Sequence, residues 1–193
     1  RLNQANQALA RVFELQDVLH AIVNHIPAIT ADADGALVCF YNFATNRFEL
    51  DKTAGWGLGA DQITWPTTRP QPHSLLHHVL IDGLATVLTP AEFATLPQPI
   101  QTELNKIGIH SFIGLRLRAG AEPLGALFIN YKAPYKLAGL ERDEEIGRLK
   151  LYADQAAFAM QRAYLFERNR QERQLLQDAL TAIRTGKGFE ESA

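Results

Sequence analysis

Three histidines, His73, His77 and His78, fall close together in "HSLLHHVLIDGL" (73–84). His73 and His77 are four apart and share one face of a helix, a spacing that suits a pair of metal ligands. A closed metal site needs further donors, and none is spaced to supply them. The histidines therefore read as exposed or capping groups, and no metal is expected. Cys39 is the single cysteine, which excludes an intramolecular disulfide, a four-cysteine zinc site and a CxxC redox pair. It accords with a reducing, cytoplasmic setting. Glu144 and Glu145 are adjacent, so on a helix they do not face each other, and there is no Gly-x-Ser-x-Gly elbow. The stretch "RLRAGAEPLGALFINYKAPYKL" (116–137) frames a short polar loop with Gly120 and Gly125. A phosphate-cradling loop of the Walker kind ends in Gly-Lys-Ser/Thr and opens a helix. Here Gly125 leads into Ala-Leu-Phe-Ile, a strand, and residues 119–123 have the composition of a hairpin loop. No catalytic constellation emerges, and the chain is expected not to be an enzyme.

Binding chemistry has better material. Trp56 and Trp65 lie in a Pro/Gly-punctuated stretch, while Tyr41, Phe112 and Phe128 lie on strand-like runs. Such aromatics either line a pocket for a flat or apolar ligand or fill the core. Arg116 and Arg118 alternate with Leu115 and Leu117, so both point one way, toward a solvated face or toward an anion. With His77, the candidate ligand-binding set is Tyr41, Trp56, Trp65, His77, Phe112, Arg116 and Phe128. No short motif names a cofactor.

The elements that must position these residues can be read from composition and periodicity. The chain has 193 residues, a formal net charge of -2, 47% hydrophobic and 21% charged residues. That is ordinary for one globular domain with attached helices, and it gives no electrostatic basis for binding nucleic acid. No apolar run approaches the roughly 18 residues that cross a bilayer. The chain opens at Arg1 without a methionine and reads as a piece of a longer protein, whose flanks could carry membrane segments.

"RLNQANQALARVFELQDVLHAIVNHIPAI" lacks glycine and reads as a helix over 1–27, ended by Pro27. Leu2, Leu9, Gln16 and Val23 repeat every seven residues, as do Ala5, Val12, Leu19 and Ile26. This a/d stripe predicts a parallel dimer seam at Leu2, Leu9, Val12 and Leu19. Phe13, Leu15 and Ile22 lie off the stripe, so part of the helix also packs on its own domain. "GALVCFYNF" (35–43) reads as a strand, with Asn46 in the turn to a second strand carrying Phe48 and Leu50. Residues 54–72 read as a long loop. A helix over 73–84 ends at Gly83, "ATVLT" is a short strand, and short helical turns run to Gly108. "IHSFIGLRLR" and "PLGALFINY" are the two strands of the hairpin. From Leu140 to about Ile183 the pattern predicts one long helix or two stacked ones. Ile146, Leu149, Ala153, Ala156, Met160 and Ala163 form its apolar stripe. "ERNRQERQ" (167–174) is polar all round, as in a connector. The domain plan is a helix at 1–27, a sheet core at 28–139 with an insert at about 55–107, a closing helix and connector at 140–185, and a flexible tail at 186–193.

Over roughly residues 10–166 this order resembles the GAF family. Gly108, Ile109 and Ser111 match its Gly-Ile-x-Ser strand, and Leu124, Gly125 and Leu127 its Leu-Gly-x-Leu strand. Ala153, Gln155, Ala157 and Ala159 match the closing helix. Arg116 departs from the proline that many members carry. The resemblance implies an α+β fold: an antiparallel sheet, six-stranded or similar, with terminal helices on one face and a ligand pocket on the other. It implies a sensory or regulatory module of a bacterial signalling protein, such as a sensor histidine kinase of a two-component system, working as a homodimer through its terminal helices. An alternative is a degenerate pocket that only dimerises and relays. Bilin-binding members carry a histidine, often preceded by a cysteine, where this chain reads "QPIQTEL", and a second one where it has Asn130 and Tyr131. For haem, His110 is near the right strand without an identifiable partner. The GAF-fold methionine sulfoxide reductases need several cysteines. Cyclic nucleotides stay open.

Overall fold

The computed structural model describes residues 14–30, 32–42, 44–63, 70 and 74–184. Five antiparallel strands form one sheet in the order β2-β1-β5-β4-β3: β1 Gly35–Asn42, β2 Arg47–Gly57, β3 Leu84–Val87, β4 Ser111–Ala119 and β5 Glu122–Tyr131. Along β1 every residue from Gly35 to Tyr41 is buried. A strand covered on both faces has no polar side to alternate with, which is why "GALVCFY" is a continuous apolar run. The β4–β5 hairpin turns at Gly120 and Ala121, with Gly120 at φ 73°, as the 119–123 composition implies. Beside it, Gly125 passes so near β1 that a Cβ there would overlap the Cys39 carbonyl oxygen.

Helices α1 (Leu15–Asn24), α2 (Ile26–Ile29) and α6 (Gly139–Arg184) lie against one face. α6 is a single helix of 46 residues, about 69 Å long at 1.5 Å per residue. Its stripe of Leu149, Ala153, Ala156, Met160 and Ala163 is buried, and the alanines let its backbone approach the sheet. Beyond Arg170 the helix leaves the domain, and Leu175, Leu176, Leu180 and Ile183 are exposed, as are Leu165 and Phe166 before it.

Pro27 does not end the helical segment. The break falls at His25, and Pro27 occupies the first turn of α2, where its missing N–H costs nothing. A second correction concerns α1. Leu15, Val18, Leu19, Ile22, Val23 and Ile26 are all fully buried in the domain's own core. Leu19 is thus unavailable to a seam between copies. Leu2, Leu9 and Val12 lie outside the described residues. The third concerns 54–57, expected in a loop: β2 runs on through them, pairing Ala54, Gly55 and Trp56 with Val38, Leu37 and Ala36. A bulge between the Cys39 and Tyr41 pairings reverses the strand's facing, so Phe48 and Trp56 lie on opposite sides of the sheet.

Candidate functional site

The other face of the sheet is roofed by the segment between β2 and β4. It contains α3 (Leu75–His77), a π-helical turn (His78–Asp82), α4 (Pro90–Ala94) and α5 (Gln98–Ile107). Ser74 starts α3, its hydroxyl accepting from the His77 N–H at 3.2 Å. Gly83, at φ 94°, ends the turn and redirects the chain into β3. Val79 and Leu80 descend onto the sheet above Gly114, where an added Cβ would lie 2.7 Å from Val79.

This roof encloses three of the sequence-predicted residues. Tyr41, Phe112 and Phe128 come from three different strands and join one buried cluster with Leu37, Val79 and Leu104. The Phe112 and Phe128 rings are 6.3 Å apart, and Tyr41 lies 4.8 Å from Phe48. His77 stands beside the cluster, half-buried, and its Nδ1 is buried with no hydrogen-bond partner among the described residues. Its ring meets His78 edge-on at 6.0 Å. His78 itself is exposed and pairs through Nδ1 with Asp82 Oδ2 at 2.7 Å.

Arg116 spends one side of its guanidinium on the roof. Its Nη1 donates to the Leu80 carbonyl at 3.2 Å and the Ile81 carbonyl at 2.8 Å. The guanidinium thereby satisfies carbonyls that the end of the π-helical turn leaves open. Its backbone N–H donates to the Gly83 carbonyl at 3.1 Å, fixing the roof to β4. Cys39 is fully buried, and burial pushes its thiol up to about 12, so it stays protonated and unreactive at neutral pH.

Trp56 is a correction. It lies on the helix side, packed against that core, with its indole N–H donating to the Val23 carbonyl at 2.7 Å. It cannot line a pocket under the roof. Trp65 and His73 lie outside the described residues. His110 is exposed, its ring 6.4 Å from Phe93. Among the described residues no group of three or more His, Cys, Asp or Glu is placed to hold a metal. No helix among them is long and apolar enough to cross a membrane.

No protein-family model matches the chain, and no curated protein does. Solved structures do match. The GAF domain of a phosphoenolpyruvate-protein phosphotransferase from Coxiella burnetii superposes with a TM-score of 0.64 at 18% identity, covering 85% of this chain and 92% of that one. Its counterpart from Acinetobacter gives 0.62 at 16%, with 85% and 92% covered. The free methionine-R-sulfoxide reductase of Neisseria meningitidis, in complex with its substrate, gives 0.63 at 10%, with 85% and 88% covered.

The fold is that of a GAF domain. Within the GAF fold, Tyr41, His77, Phe112 and Phe128 share the roofed face, Arg116 holds the roof to it, and Trp56 belongs to the opposite side. Sequence reasoning missed Asn130, a buried amide on β5 whose Nδ2 donates to the Leu58 carbonyl at 3.1 Å and pins the start of the roof segment. Its signal was an asparagine inside the apolar run "ALFINY". A buried amide there needs a partner, and so marks a loop tied to the sheet.

Proposed function

We propose that this GAF-fold domain is a sensory or regulatory module of a signalling protein. It binds a small molecule under the roof and passes the bound state along α6 to a second copy of the chain. The observation that carries this reading is α6 itself. One end forms the domain core, while the other end projects with an exposed apolar face. Leu151, Phe158 and Leu165 are seven apart on that helix, and Leu176 and Ile183 resume the interval with Leu180 between them. Such a repeat suits a helix paired with its own copy. Leu2, Leu9 and Val12 add the N-terminal part of that bundle in this reading. The ligand would meet Tyr41, Phe112 and Phe128, with His77 Nδ1 as its polar contact; Trp65 is a further lining candidate. No step in this role needs catalysis by the domain, and a cytoplasmic location suits it.

A second reading keeps the dimer and drops the ligand. It is favoured by the close packing of the aromatic cluster, in which Phe112 is 1% and Phe128 7% exposed. Thermal melting against cyclic nucleotides, amino acids and aromatic metabolites separates the two, since a ligand of the folded state raises the melting temperature. A shift abolished by His77→Ala supports the first reading. A flat response across the panel with an intact dimer supports the second. An absorption scan after expression with haem or biliverdin tests the pigment alternatives.

A further inference from the structure

A second, polar site lies at the edge of the sheet. β3 begins at Leu84, opposite Leu115, so β4 continues from Arg116 to Ala119 beyond the end of its outer neighbour. α6 passes this overhang and leaves a cleft of about 160 Å3, with Leu115 as its apolar floor. Arg116, Arg118 and Lys150 line it, together with Asp154. Three positive charges against one negative leave the cleft strongly cationic in a chain whose net charge is -2.

The cations are not spent on one another's neighbours. No ion pair among the described residues engages Arg118, Lys150 or Asp154. Arg116 commits Nη1 to the roof carbonyls, but its Nη2 faces Gly83, where an added Cβ would stand only 3.0 Å away. No hydrogen bond among the described residues engages Nη2.

We propose that this cleft binds inorganic phosphate as its monohydrogen dianion. Size is the first argument. The cleft, at about 160 Å3, has room for a tetrahedral anion. Charge is the second: arginine forks and a lysine ammonium together match tetrahedral oxyanions. Asp154 supplies selectivity. A carboxylate accepts a hydrogen bond from P–OH, which monohydrogen phosphate carries near neutral pH, and repels sulfate, which carries no proton there. The site is separate from the roofed cluster and does not depend on the sensory reading.

The test is isothermal titration calorimetry on the whole chain at low ionic strength and pH 7, with potassium phosphate, glycerol 3-phosphate and potassium sulfate. Saturable one-to-one binding of phosphate is expected, with sulfate at least tenfold weaker. Arg118→Ala and Lys150→Ala should each weaken phosphate by about tenfold, the scale of one charge-assisted hydrogen bond. Asp154→Asn should close the gap between phosphate and sulfate. All three side chains are exposed, and circular dichroism melting confirms that each variant is folded. Glycerol 3-phosphate, whose dianion carries no P–OH, should bind weakly, like sulfate; binding as tight as that of phosphate, or tighter, overturns the selectivity assigned to Asp154. Absence of saturable phosphate binding, or binding unchanged in the Arg118→Ala/Lys150→Ala double variant, overturns the proposal.

Discussion

Glu167 closes the start of α1 from the far end of the chain. Glu14, at the N-cap of α1, makes no capping hydrogen bond of its own. Instead the Leu15 N–H donates to Glu167 Oε1 at 2.6 Å. The other carboxylate oxygen lies 3.6 Å from Lys52 Nζ, which also meets Glu49 at 3.0 Å. Burial works against the Lys52 charge, but Glu49 and Glu167 outweigh it, and the ammonium is held above its ordinary pKa. Replacing Glu167 by alanine removes a cap worth about 1 kcal/mol, with a range of roughly 0.5–2. It also removes a partly exposed ion pair worth roughly 0.2–1 kcal/mol. The expected loss is about 0.7–3 kcal/mol, or roughly 1.5–12 °C in melting temperature for a chain of this size. Circular dichroism melting at neutral pH measures it. The control is Arg170→Ala: Arg170 reaches Glu14 at 3.6 Å, but the two side chains are 74% and 65% exposed, so the loss should stay within about 0.5 kcal/mol. If Glu167→Ala melts within a degree of the parent chain, or no lower than Arg170→Ala, the carboxylate does not serve as the cap of α1.

Three further outcomes are expected. Leu176→Asp with Leu180→Asp, at positions 65% and 62% exposed, should turn a dimer into a monomer by light scattering without changing the melting of the sheet; a parent chain that is already monomeric at tens of micromolar removes the relay. Trp56→Phe loses the hydrogen bond to Val23 and should cost about 1 kcal/mol in urea unfolding, while leaving the affinity of any confirmed ligand unchanged, because the indole is on the helix side. Cys39 should resist thiol reagents in the folded chain and react once it unfolds. The unfolded thiol gives up its proton near 9.0 and the folded one near 12, so the unfolded state binds fewer protons between them and stability should fall as pH rises across that window.

The sequence was most legible where local chemistry decides structure. Gly83, Gly108 and Gly120 all adopt positive φ at the element ends where they were expected, because a left-handed turn has few other occupants. The alanine-spaced stripe of α6 was readable for the same reason: its period survives packing. What failed depended on partners distant in the chain. "GWG" looked like loop because glycine dominates local preference, yet pairing with Ala36 and Leu37 makes it strand. The seven-residue repeat at Leu19, Val23 and Ile26 is real, but a helix only a few turns long drifts too little to separate that period from 3.6, so an intramolecular face passed for a seam. Of the candidate site, the aromatics on β1, β4 and β5 were found by their strands. Asn130 left a mark as a polar residue in an apolar run, but its partner and that of Arg116 were opaque, because they are backbone carbonyls 72 and 35 residues away, and carbonyls leave no mark in a sequence.

The unbroken course of α6 from the core to Arg184 makes angular phase a property of the molecule. Each residue of an α-helix is rotated by about 100° from the one before it and lies 1.5 Å further along the axis. The surface that any downstream element presents is therefore locked to the orientation of Leu149 and Met160 in the core. Lengthening "ERNRQERQ" by four residues should swing that surface by about 40°, whereas seven residues should return it to within about 20° of where it began. Coupling between the domain and a downstream partner should thus rise and fall with insert length like a vernier, repeating every seven residues instead of fading steadily with distance.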